Sequence, residues 1–154
     1  MRGSFFTPSH WTWGTFTDRL KFMSPKPEFS KGKKILVVDD EPELVSLIAA
    51  FLGDAGYEII TAGDGEKALE MVQTNLPDLI LMDIMLPKMD GWLVCQKLKA
   101  DEKLKKIPTI LLSGMLVADS TPDKSVEKCD YLLAKPIEMQ NLLQKVQEFI
   151  AVSH

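Results

Sequence analysis

The 154-residue chain is poor in cysteine and histidine, and it has no long apolar run. Cys95 and Cys129 are its only cysteines, too few for a disulfide framework, so a reducing cytoplasm is the expected setting. Nothing approaches the roughly 18 consecutive apolar residues of a membrane span. The opening MRGSFFTPSHW has a basic residue but no apolar core, so it does not read as a secretory signal. His10 and His154 stand alone, without partners at metal-ligand spacing. A net charge of −4 gives no basic excess for direct nucleic-acid binding.

With 45% hydrophobic and 26% charged residues, the chain has material for one globular core. Charge and composition change near residue 32. Arg2, Arg19, Lys21 and Lys26 against Asp18 and Glu28 leave +2 over residues 1–30, hence −6 over the remainder. Residues 1–32 carry Trp11, Trp13, Phe16, Leu20 and Phe22 and then SPKPEFSKG. They read as a leader or linker, disordered or derived from an expression vector, whose aromatic face is the alternative docking element.

From residue 33 the pattern turns regular. Short β-branched runs at 34–39, 57–62, 78–83, 107–114 and 131–135 predict five strands. Runs of helical period at 41–56, 66–75, 92–102 and 137–152 follow all but the fourth, with Pro42 in a first turn, Gly56 as a stop, and Leu93, Cys95, Leu98 and Trp92 expected to be partly buried. The fourth helix is expected within 115–130, short or weakly anchored because its apolar content is thin. Strands apolar on both faces, alternating with helices, predict a doubly wound α/β fold: a five-stranded parallel sheet of flavodoxin-like order 2-1-3-4-5 with helices on both faces.

That fold gathers the carboxyl ends of the strands at one edge, and with them Asp39 and Asp40, Asp83, Ser113 and Lys135. Three carboxylates so close together repel one another unless a proton or a cation intervenes. Hard oxygen ligands favour Mg²⁺, which binds one or two carboxylates together with phosphate oxygens. A lysine and a hydroxyl suit the anion, and Asp83 is central enough to act as a nucleophile toward phosphorus. Each residue alone has a bland explanation: Asp39 and Asp40 as helix caps, Asp83 in an Asx turn, Lys135 as their ion-pair partner. Convergence of all five is what favours a site.

VVDDEPE, LMDIMLPKMDGW, ILLSG and AKP resemble, in order and spacing, the receiver (response-regulator, CheY-like) domain of bacterial two-component signalling, over residues 33–152. The resemblance implies that Asp83 is the phosphoacceptor, supplied by a sensor histidine kinase. Asp40, Asp83 and the backbone carbonyl of Met85 would bind Mg²⁺ directly, and Asp39 through water. Ser113 would be the switch hydroxyl and Lys135 the phosphate-binding lysine, with the peptide before Pro136 cis. Phosphorylation would remodel the surface of the fourth helix, fifth strand and fifth helix, which is also where a dimer would form. No helix-turn-helix is recognisable, so output is expected through a protein effector or by transfer to a histidine phosphotransfer protein. A small-molecule phosphatase is the remaining alternative, weakened because Met85 stands where such enzymes want a second aspartate. Apart from its own phosphotransfer and dephosphorylation, the domain is not expected to be an enzyme.

Two departures bear on the switch. The family's swinging aromatic would fall at Leu132, whereas Tyr131 lies one residue earlier and, by strand alternation, on the other face. Met85 and Met115 occupy the positions that tune hydrolysis, and two apolar side chains there predict a long-lived phosphoryl state.

Overall fold

A computed structural model describes residues 32–114 and 130–152. The expected fourth helix, Met115, Cys129 and the aromatic leader lie outside the described residues. In chain order the elements are β1 (Lys34–Val38), α1 (Pro42–Asp54), β2 (Glu58–Ala62), α2 (Gly65–Asn75), β3 (Leu79–Asp83), α3 (Gly91–Lys99), β4 (Thr109–Ser113), β5 (Tyr131–Ala134) and α4 (Met139–Val152). Helix α4 is the fifth helix of the sequence reading.

All strand pairings are parallel, in the order β2-β1-β3-β4-β5, so the 2-1-3-4-5 arrangement expected from the pattern is the one formed. Strand alternation divides the core in two. Ile35, Val37, Leu79, Leu81, Ile110 and Leu112 face α1 and α4; Leu36, Val38, Ile80, Met82 and Leu111 face α2 and α3. Strands β3 and β4 are buried at every position, as the uninterrupted apolar runs require.

Several boundaries fall inside the predicted ones, for local reasons. Strand β1 ends at Val38, and Asp39 already turns its carboxylate to the backbone N–H of Glu41 at 2.9 Å. Asp78 stays out of β3 and accepts the N–H of Lys34 at 2.7 Å. Strand β4 begins at Thr109, after Pro108, which has no N–H to give a ladder. On α3, Val94, Cys95 and Leu98 are buried and Trp92 is partly buried against them, while Leu93, expected among the partly buried residues, is 40% exposed.

Candidate functional site

Register aligns the strand ends. Val38 pairs with Met82, so one step further brings Asp39 level with Asp83. Asp83 pairs with Leu112 and Ser113 with Ala134. The ladder then runs one bond past β5, where Lys135 donates its N–H to the Ser113 carbonyl at 2.7 Å. The Lys135–Pro136 peptide is cis.

Lys135 is the hub. Its Nζ lies 3.1 Å from Asp39 Oδ2, 3.1 Å from Asp83 Oδ2 and 3.4 Å from Glu41 Oε1. Asp39 and Asp83 are only 2% and 5% exposed. They divide their oxygens in the same way: Oδ2 of each takes Lys135, while Oδ1 accepts a backbone N–H two residues on, from Glu41 at 2.9 Å and from Met85 at 3.2 Å. The bland contacts, a local turn and an ion pair, are therefore present, but they engage only part of each carboxylate. An ionised carboxylate offers about four acceptor directions, so capacity remains.

Burial is the main reason the Asp39 carboxyl is pushed above the usual carboxylate range. The Glu41 N–H and Lys135 oppose that shift, and the charge of Asp83 adds to it. Burial likewise pulls the Lys135 ammonium down, but the hydrogen bonds and charges of Asp83 and Asp39 outweigh it and hold the lysine above its ordinary value. One cation thus serves several acids. Oxygens of Asp39, Glu41 and Asp83 lie within 4.8 Å of one another, a group able to hold a metal ion.

Sequence reasoning missed Glu41. It is the N-cap residue of α1, yet its side chain makes no capping bond, and so it is available to Lys135. The clue was Pro42 at the first helical position, which placed Glu41 at the cap. Asp40 is exposed beside this group rather than within it. Ser113 is buried at the end of β4, and Met85 is 66% exposed. Tyr131 packs on the α1/α4 side and Leu132 on the other. The Tyr131 ring sits 6.0 Å from that of Phe149, with Lys145 Nζ 4.9 Å from its centre.

Asp83 is seated by the loop that follows it. Ile84 continues the ladder by donating to the Leu112 carbonyl at 3.0 Å, and Gly91 returns to donate to the Ile84 carbonyl at 2.8 Å. Asp90 caps α3 by accepting the N–H of Leu93 at 2.9 Å. Asp83 is therefore fixed by backbone on either side.

Comparison with known proteins agrees with this architecture. Residues 35–147 match the family described as the response regulator receiver domain. The chain is 34% identical over 117 residues to the DNA-binding dual master transcriptional regulator RpaA of Synechocystis, covering 76% of this chain and 48% of that protein. It is 40% identical over 114 residues to the response regulator PleD of Caulobacter vibrioides, covering 74% and 25%. The chain thus spans about half, or less, of the curated relatives it matches. Among solved structures, it is similar to a putative response regulator from Chloroflexus aurantiacus (32% identity, TM-score 0.71, 79% and 99% covered). It is also similar to the response regulator TrrA from Thermotoga maritima in complex with Mg²⁺-BeF (34% identity, TM-score 0.69, 76% and 98% covered).

Proposed function

The chain belongs to the response regulator receiver family, and from that premise we propose that Asp83 accepts a phosphoryl group from a phosphohistidine of a sensor histidine kinase. A carboxylate oxygen of Asp83 attacks phosphorus, the P–N bond breaks, and an acyl phosphate forms as the imidazole departs. The observation that carries this reading is the shared lysine: Lys135 Nζ stands 3.1 Å from both Asp83 and Asp39, at the open edge of the sheet.

The donor set fits Mg²⁺. Asp39, Glu41 and Asp83 supply closely grouped hard oxygens and, among the described residues, share one lysine, and Asp40 and the Met85 carbonyl lie alongside in sequence. When bound, the ion would offset charge on the transferring group. Lys135 holds the acceptor carboxylate in place and faces the incoming oxygens. The hydroxyl of Ser113 is the hydrogen-bond donor for the new phosphoryl group, which adds about −1.5 to −2 of charge.

That charge draws the Ser113 hydroxyl inward and alters the partner-binding surface next to β5. Tyr131 is engaged by Phe149 and Lys145 on α4, so the switch runs on the hydroxyl without an aromatic companion at Leu132. Leu132→Tyr is accordingly expected to change phosphorylation-dependent partner binding. Protein contact is the proposed output. Among the described residues no helix is long and apolar enough to cross a membrane.

Incubation with acetyl phosphate, with and without Mg²⁺, followed by intact mass, tests the proposal. One phosphoryl adduct is expected on the wild type only with Mg²⁺, and none on Asp83→Asn. An unmodified wild type, or an equally modified variant, would overturn it.

A further inference from the structure

Residues 84–90 link the acceptor to α3 and carry Met85. Two glycines seat this loop. A Cβ at Gly91 would stand 2.5 Å from the Asp83 carbonyl oxygen and 2.9 Å from Ile84 Cα, so only glycine lets α3 start there. Gly65, the first residue of α2, closes on the loop's other flank. A Cβ at Gly65 would overlap the Met89 carbonyl oxygen and come within 2.8 Å of Met89 Cβ and 2.9 Å of Val94 Cγ2.

Gly65 is not among the glycines with positive φ; it is space, and not backbone angle, that requires glycine. A backbone carbonyl cannot swing aside as a side chain can, so an added methyl must move the loop. The neighbouring residues reinforce the docking. Asp64 caps α2 through Oδ1, accepting the Lys67 N–H at 2.7 Å, and its Oδ2 lies 3.6 Å from Lys88 Nζ. Lys88 itself sits in the left-handed region with φ 68°, a conformation that a lysine holds only when its surroundings impose it.

We propose that Gly65 is a positioning residue for phosphoryl transfer: by admitting the Met89 backbone against the start of α2, it fixes the loop that presents Met85 to the metal. The inference rests on the acceptor reading above. Gly65 touches neither metal nor phosphoryl group; it acts through residues 84–90.

Gly65→Ala and Gly63→Ala make the decisive pair, because a Cβ at Gly63 meets nothing within 4 Å. Mg²⁺ affinity is measured by calorimetric titration, acetyl phosphate modification by intact mass over a range of Mg²⁺, and folding by thermal melting. Gly63→Ala should stay within about twofold of wild type, as surface changes do. Gly65→Ala should bind Mg²⁺ about tenfold more weakly, the scale of outer-shell changes at metal sites, and should regain most of its modification rate at saturating Mg²⁺.

Equal behaviour of the two variants, beside a normally modified wild type, overturns this inference alone. So does a rate deficit that Mg²⁺ cannot restore and that follows loss of folded protein. A wild type that stays unmodified overturns the acceptor reading, and this inference with it. If Gly65→Ala does not fold, Lys88→Met decides. Losing a nearby cation would by charge alone tighten Mg²⁺ binding, whereas loss of docking weakens it, by about twofold for a surface pair. Tighter or unchanged binding overturns the inference.

Discussion

Each end of the sheet joins a lysine to aspartate, but to different effect. At the amino end, Asp130 Oδ2 accepts the Thr109 N–H at 2.7 Å and Lys99 Nζ at 2.7 Å. Lys99 also donates to the carbonyls of Lys105 and Ile107, both at 3.2 Å, and Asp78 ties the start of β1 to that of β3. Here one acid meets one lysine, and the surplus donors go to backbone. At the carboxyl end, Lys135 is divided among Asp39, Asp83 and Glu41, and burial raises the pKa of Asp39. The first arrangement is complete in itself. The second leaves more carboxylate charge than its lysine neutralises, with acceptor directions in reserve.

Removing one residue at each end should separate these roles, and the largest effect is on chemistry. Asp83→Asn is expected to lose phosphoryl uptake altogether, while Asp130→Asn keeps it; equal loss in both would erase the distinction. Lys135→Met comes next. Leaving buried carboxylates without their cation should cost about 2–3 kcal/mol at neutral pH, below the full cost of breaking a buried pair because Lys135 is partly exposed. Divalent cation should recover that loss, since a ligand at about 100 times its Kd contributes about 2.7 kcal/mol. Urea unfolding with and without Mg²⁺ reads both numbers, and a deficit indifferent to Mg²⁺ would contradict the reserve argued for this end. Asp130→Ala should cost about 1–2 kcal/mol through the buried Thr109 N–H left unpaired and the loss of the carboxylate from Lys99, which keeps its two carbonyl partners, with no response to Mg²⁺.

The amino end was nearly invisible in the sequence, whereas the carboxyl end was largely legible there. Strand periodicity and strand order sufficed to bring Asp39, Asp83, Ser113 and Lys135 to one edge, because parallel register is set by the buried faces. Which acid of the Asp39–Asp40 pair turns inward was not legible, since strand alternation stops at Val38 and the turn decides the rest. Glu41 was hidden for a similar reason: a residue ahead of a helix reads as a cap until the missing capping bond is seen. Val94 was missed because a helix beginning at Gly91 puts its inner stripe on Val94, Cys95 and Leu98. Asp130 and Lys99 are 31 residues apart, and no local pattern couples them.

One residue breaks the rule that the amino end satisfies its polar groups. Tyr57, immediately before β2, is 5% exposed, and among the described residues its hydroxyl has no hydrogen-bond partner. Burial alone pushes its pKa up to about 12. Tyr57→Phe removes the hydroxyl and keeps the ring, so it should stabilise the fold by about 1 kcal/mol at neutral pH. The pH dependence has a definite sign. A phenol that ionises near 10 when unfolded and near 12 when folded contributes fully below pH 10, and that contribution is lost as pH rises toward 12. The advantage of Tyr57→Phe should therefore widen over that interval and be flat below it, as read by urea midpoints. A variant less stable than wild type at pH 7 would mean that the hydroxyl is satisfied after all, and that the amino end has no exception to its rule.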